Sequence, residues 1–179
     1  LDRTFKYEAM SLEALLRIAN GTRSRALTRI RLFRWCAFNA LVGNADAHLK
    51  NLSFLVSPAG IELAPHYDLL STALFEVGNK PAHWGGVEMS IRIGAATKFR
   101  ELSRDTLLEL ATGLQIRKDA ASKTLEQMCK RMLKGADKVI SEFENRKFPK
   151  DAVAHHGGEL HVLRQIRHVV IKDTCMQLA

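Results

Sequence analysis

The sequence lacks any long apolar run: nothing in it approaches the roughly 18 consecutive apolar residues that a membrane span needs. No charged-then-apolar leader is read at its start, so neither a membrane role nor secretion is expected. Cysteine is scarce. Cys36, Cys129 and Cys175 are odd in number, widely spaced and set in apolar helical patterns. That argues against a disulfide framework and suits reduced thiols in a cytoplasmic, bacterial-type protein. Internal repeats and low-complexity tracts are also missing, so repeat architectures are not indicated.

What is present is an ordinary globular composition over 179 residues, enough to bury one good core. The formal charge of +8 biases the surface toward polyanions such as nucleotides, nucleic acid or an acidic partner. Arg17, Arg23, Arg25, Arg29, Arg31 and Arg34 crowd one early segment, readable either as a solvated helix face or as a phosphate or partner surface. The chain begins Leu1-Asp2-Arg3, which leads us to expect a piece of a longer protein.

Helical periodicity dominates. Ser11 is a candidate N-cap for a helix carrying Leu12, Leu15, Leu16 and Ala19, and Ser24 for a second with Leu27, Ile30, Ala37, Phe38 and Leu41, stopped by Gly43. Leu52 to Val56 reads as a strand, Ser57-Pro58-Ala59-Gly60 as a turn and Ile61 to Ala64 as the partner strand, the only clear hairpin. From Pro65 to about Gly94 the pattern is irregular and reads as a long loop region of the kind that is usually functional. Ser103 then caps a helix with Leu107, Leu110, Ala111 and Leu114. A long helix follows with Ala121, Leu125, Met128, Met132 and Ile140 on one face, Pro149 breaks the pattern, and a last helix starts near Gly158. The expected fold is mainly α, with one short hairpin set between two polar loops.

Those loops are Gly43-Asn44-Ala45-Asp46-Ala47-His48-Leu49-Lys50-Asn51 and Pro65-His66-Tyr67-Asp68-Leu69-Leu70-Ser71-Thr72. A hairpin returns the chain to near its starting point, so Asn51 and Asp68 should be neighbours, with Asp46 on the loop entering the hairpin. Two carboxylates and an amide then converge on one pocket. Phosphoryl transfer in kinases uses that inventory: one carboxylate accepts the proton of the acceptor hydroxyl, while an Asn and a second Asp hold Mg²⁺ against the nucleotide phosphates. In protein kinases the catalytic Asp precedes the metal-binding Asn by five positions, the offset between Asp46 and Asn51. The pair alone could be turn and capping residues; the added hairpin and Asp68 make the kinase reading specific.

The arrangement of helix, N-A-D-A-H-L-K-N loop, hairpin and P-H-Y-D-L-L-S-T resembles the C-terminal lobe of the HipA family, the toxin kinases of bacterial toxin–antitoxin modules. The resemblance is continuous from about Phe33 to Thr72 and weaker over Met89 to Leu114, where M-S-I-R-I-G is similar. It implies a protein-kinase-like C-terminal lobe over residues 1–179, with Asp46 as proton acceptor and Asn51 and Asp68 as Mg²⁺ ligands. His48, Lys50 and Tyr67, together with Asn51 and Asp68, are then expected at the nucleotide. It also implies ATP and Mg²⁺ as cofactors, a protein hydroxyl as substrate, a HipB-like DNA-binding antitoxin as partner, and DNA reached through that antitoxin. A glycine-rich phosphate-covering loop and a strand lysine are not found, in agreement with an N-terminal nucleotide-binding lobe lying outside this chain; the fragment alone is expected to be a weak or inactive kinase.

Blander readings accompany several of these residues. His48 is read as structural or nucleotide-contacting rather than as a zinc ligand, Lys50 either as a surface lysine or as a phosphate-stabilising charge, and His155-His156 as a solvated loop. Trp35 and Trp84 are read as packing residues, and Ser71 and Thr72 as caps of a helix after Asp68. Two further functional readings stay open: a basic helical module contacting nucleic acid or a repressor through the early Arg cluster or Arg92, Lys98, Arg100 and Arg104, and a lipid or small-molecule kinase lobe. Here His48 follows the candidate catalytic Asp by two positions rather than preceding it, which favours the HipA-like reading over aminoglycoside-type kinases.

Overall fold

The computed structural model describes residues 11–78, 80–146 and 153–179, the first three of the last segment as backbone only. Helix α1 (Leu12–Asn20) starts where Ser11 accepts a hydrogen bond from the Ala14 N–H, and it buries Leu15 and Ala19. Helix α2 (Arg25–Val42) is the central element. Leu32, Phe33, Trp35, Cys36, Ala37, Ala40 and Leu41 are all buried, covering so much of the circumference that the helix must be wrapped by others. Each large side chain fully removed from water contributes about 1.5–3 kcal/mol. Ser24 stands at its N-cap without a side-chain hydrogen bond.

After a 3₁₀ turn (Leu49–Asn51), strands β1 (Phe54–Ser57) and β2 (Gly60–Leu63) form an antiparallel hairpin pairing Phe54 with Leu63 and Ser57 with Gly60. Pro58 and Ala59 make the turn. The long loop expected from Pro65 to Gly94 is instead largely structured. It holds a one-turn helix α3 (Ala73–Glu76), a 3₁₀ segment (Pro81–Gly86) and strand β3 (Glu88–Ile93), which pairs with β4 (Ala96–Lys98). The described residues thus contain two hairpins, where one was expected. β3 alternates apolar Met89, Ile91 and Ile93 with polar Glu88, Ser90 and Arg92, a strand period masked by the otherwise irregular segment, rich in Gly and Pro, in which it lies.

Helix α4 (Arg104–Gly113) is capped as expected: the Ser103 hydroxyl accepts from the Thr106 N–H. Helix α5 (Lys118–Glu144) runs for 27 residues, about 40 Å, and fully buries only Ala121, Leu125 and Ile140, as an outer bundle helix should. Helix α6 (Val153–Gln165) leads through a π-helical turn (Ile166–Ile171) into α7 (Lys172–Gln177). The last helix therefore starts before Gly158, and Pro149 lies outside the described residues. His155-His156, expected in a solvated loop, are helical; the His156 ring tilts against Phe143 with centroids 4.8 Å apart. Trp35 and Trp84 are core residues, and the Trp84 indole N–H donates to Asp173 Oδ2 at 3.3 Å. Among the described residues no helix is long and apolar enough to cross a membrane.

Candidate functional site

The π-helical turn matters because it seats Val170 against the entrance of the first polar loop. Gly43 ends α2 with φ 66, a left-handed conformation that side chains disfavour. A Cβ there would also lie 2.9 Å from Val170 Cγ1. The Gly43 carbonyl accepts from the N–H groups of Thr72 (3.1 Å) and Ala73 (2.9 Å), which ties the first loop to the second. Ala45 is held on both sides: its N–H donates to Thr72 Oγ1 at 2.7 Å, and its carbonyl accepts from the Ser90 hydroxyl of β3. Thr72 occupies the N-cap position of α3 but makes no side-chain cap bond; its hydroxyl serves the opposite loop instead.

Asp46 follows on this pinned backbone. Its side chain is exposed, and its N–H donates to Asn44 Oδ1 at 3.1 Å. Asn51, at the end of the 3₁₀ turn, is buried. Its Oδ1 accepts from the His48 N–H at 2.9 Å, and its Nδ2 donates to the carboxylate of Asp68. The hairpin therefore brings together two residues 17 positions apart, as its length requires. Asp68 itself has φ 55, a conformation uncommon for a residue with a side chain. Its carbonyl accepts from Asn44 Nδ2 at 3.2 Å.

Tyr67 and Lys50 meet beside this pair: the Tyr67 hydroxyl donates to the Lys50 carbonyl at 2.7 Å and lies 3.1 Å from Ser53 Oγ. Both side chains are exposed, while His48 is half-buried. Nδ1 of His48 is buried with no partner among the described residues. His66 lies nearly parallel to Trp35, ring centroids 6.3 Å apart. Burial and, second, the neighbouring Arg31 guanidinium hold its pKa below the usual imidazole range.

Part of the arginine cluster is engaged with neighbouring segments of the chain. Arg31 donates to the carbonyls of Leu63 (2.5 Å) and Ala64 (2.7 Å), fixing the strand that delivers the second loop. Arg23 pairs with Glu62, and Arg29 donates to Asn20. Arg104 reaches the Leu178 carbonyl, Ser122 and Glu126. Sequence reasoning missed these roles, and those of Asn44, Thr72 and Ser90, because most of the bonds join segments far apart in the chain or bury a loop residue; that of Asn39 was missed because it lies within the apolar pattern of α2.

The arrangement offers an exposed carboxylate on a fixed loop beside a second carboxylate paired with an amide. These are hard oxygen donors of the kind that suit Mg²⁺, which needs only one or two carboxylates from the protein. Among the described residues no group of three or more His, Cys, Asp or Glu gathers in a way that would hold a metal. A cavity of about 780 Å³ lies elsewhere, lined by Leu12 and Leu15 of α1, Glu88 and Arg92 of β3 and Glu109 of α4. None of Asp46, Asn51 and Asp68 lines it.

Comparison with known proteins bears on the same segments. The chain is 41% identical over 69 residues, 38% of its length, to the serine/threonine-protein kinase toxin HipA of Shewanella oneidensis, of which the match covers 16%. A chain in the solved complex of the Shewanella oneidensis MR-1 toxin–antitoxin system HipA, HipB and its operator DNA superposes with a TM-score of 0.70 at 22% identity. That superposition covers 98% of this chain and 40% of the other, and the likeness is one of fold. The family model for the HipA-like C-terminal domain matches residues 1–136. Both polar loops and the hairpin that joins them through Asn51 and Asp68 lie inside that match, and the chain belongs to the HipA-like C-terminal domain family.

Proposed function

We propose that this chain is the catalytic lobe, over residues 1–179, of a HipA-like serine/threonine protein kinase that transfers the γ-phosphoryl group of ATP to a protein hydroxyl. The observation that carries the proposal is the joining of Asn51 to the Asp68 carboxylate across the hairpin, with Asp46 on the loop that enters it. Asp46 orients the acceptor hydroxyl and takes its proton as the new O–P bond forms and the bond from the γ-phosphorus to ADP breaks. Asn51 and Asp68 are the residues that would hold Mg²⁺, whose charge neutralises phosphate oxygens when bound. His48, Lys50 and Tyr67 stand on the same two loops and are assigned to the nucleotide.

The phosphate-covering loop and strand lysine that kinases need are assigned to a lobe outside this chain. In this proposal the partners are a serine- or threonine-bearing protein substrate and a HipB-like DNA-binding antitoxin, with DNA reached through the antitoxin. The HipA, HipB and operator DNA complex that shares this fold supports the antitoxin assignment. The cysteines, none of them in a disulfide, suit a cytoplasmic setting.

In the full-length native protein, Asp46→Asn should abolish phosphate transfer while leaving the far-ultraviolet circular dichroism unchanged. Undiminished transfer overturns the assignment.

A further inference from the structure

Asn44 is only 4% exposed, and its side-chain amide is fully engaged. Oδ1 accepts from the N–H of Asp46 at 3.1 Å. Nδ2 donates to the carbonyl of Asp68 at 3.2 Å and to Asn39 Oδ1 at 2.9 Å. Asn39 is itself buried in α2 and donates to the Trp35 carbonyl at 2.9 Å. The backbone N–H of Asn44 adds a bond to the Asn39 carbonyl at 2.8 Å.

An amide side chain carries two N–H donors and one carbonyl, and here each donor has an acceptor and the carbonyl has a donor. The two loops are thus joined at their backbones through a single side chain anchored in the central helix. One of those backbones is unusual: Asp68 sits at φ 55, a left-handed conformation that aspartate tolerates better than most residues and that neighbouring bonds help to hold. The Asn44 N–H to the Asp68 carbonyl is such a hold.

We infer that Asn44 is a positioning residue for phosphoryl transfer, fixing the spacing between the proton acceptor Asp46 and the metal-holding Asp68 without touching substrate itself. The inference rests on the kinase reading above and deepens it. Aspartate at position 44 makes the sharpest change. It keeps the size, shape and the acceptor toward the Asp46 N–H, but as a carboxylate it has no donors and would face two oxygens, those of Asn39 and Asp68. The Asp68 side of the link is then lost while the Asp46 side survives.

The test uses the full-length native protein with Asn44→Asp, Asn44→Ala and, as a control on the chemistry, Asp46→Asn. Turnover per folded molecule, the KM for ATP and the Mg²⁺ concentration for half-maximal rate are measured at low temperature, where the variants are folded by near-ultraviolet circular dichroism. We expect Asn44→Asp to lower kcat by about 100-fold, the scale of a catalytic group displaced by an ångström. It should also raise the Mg²⁺ requirement several-fold and change the ATP KM little. A purely structural role would lower the melting temperature but leave kcat and the Mg²⁺ requirement of folded protein unmoved.

If Asp46→Asn is dead while Asn44→Asp keeps native kcat and Mg²⁺ dependence, the positioning role is overturned and the kinase reading stands. If Asp46→Asn is as active as the native protein, or the native protein transfers no phosphate, the kinase reading fails and this inference fails with it. Should Asn44→Ala not fold, the near-isosteric Asn44→Asp decides.

Discussion

Asn51 donates its side-chain N–H to the carboxylate of Asp68 while accepting from the N–H of His48, so one amide closes the 3₁₀ turn and meets the second loop at once. Removing either partner should therefore damage the same function. Asn51→Ala and Asp68→Ala are each expected to lower phosphate transfer by about 100- to 1,000-fold, as loss of one preorganised electrostatic group does. Because the two act as a unit, the double variant should be little worse than the worse single one. Steady-state kinetics of the three variants check this; multiplicative losses would show that the residues act separately.

Gly43 faces two independent objections to a side chain, its φ of 66 and Val170 Cγ1 at 2.9 Å from the missing Cβ. Gly43→Ala should destabilise the fold by about 2–4 kcal/mol, summing left-handed strain and overpacking. A double-mutant cycle with Val170→Ala, read by denaturant unfolding, should return a coupling of about 1 kcal/mol or more, since the smaller partner relieves the clash but not the strain. Zero coupling would contradict the contact.

His66 resists protonation, with its ring nitrogens buried and without partners among the described residues. Burial, then the Arg31 guanidinium, depresses its pKa. The sign follows from linkage. Below about pH 6.5, the ordinary imidazole value, the unfolded chain binds a proton that the folded chain does not. Stability is thus fully present above that value and is lost as the pH falls from it through the folded pKa. His66→Phe keeps a ring against Trp35 and removes this titration, so the melting temperature should fall less between pH 7 and pH 5 than in the native protein. An unchanged slope would place the acid sensitivity elsewhere.

The three cysteines should differ in reactivity. Burial pushes the Cys36 thiol up to about 12. The Cys175 thiol, whose sulfur lies 3.9 Å from the Cys129 carbonyl, is raised by its Cys129 neighbour and by burial. The neighbouring Cys175 thiol lowers that of half-buried Cys129. As the thiolate is the reactive form, iodoacetamide at pH 8 should label Cys129 first under native conditions, and all three only after unfolding. Peptide mapping that finds Cys36 labelled first would contradict the burial described.

What the sequence disclosed of the site follows from local chemistry. Gly43 marks a helix end, Ser57-Pro58-Ala59-Gly60 marks a turn, and the short hairpin between them makes neighbours of Asn51 and Asp68 whatever the rest of the chain does. Ser11 and Ser103 were legible as caps for the same reason, each bonding an N–H three residues on. Thr72 reads as a cap in the same way and stands at that position without a cap bond, because its hydroxyl is claimed by Ala45, 27 positions away. Strand β4 has only three residues and its pairing is irregular, so it does not signal itself; β3 does alternate, with Met89, Ile91 and Ile93 apolar, but with no visible partner it reads as part of the loop. Arg31 and Arg104 looked like parts of an outward-facing charge surface, and only their distant partners, the carbonyls of Leu63, Ala64 and Leu178, reveal them as half-buried ties between segments.

The most direct test of the kinase reading is phosphate transfer from γ-labelled ATP by the purified full-length native protein, with phosphoserine and phosphothreonine located by mass spectrometry. Label should appear on protein hydroxyls in the presence of Mg²⁺ and disappear both with EDTA and in Asp46→Asn. Label transfer that survives Asp46→Asn, or its absence from the native protein with ATP and Mg²⁺ supplied, would contradict the reading.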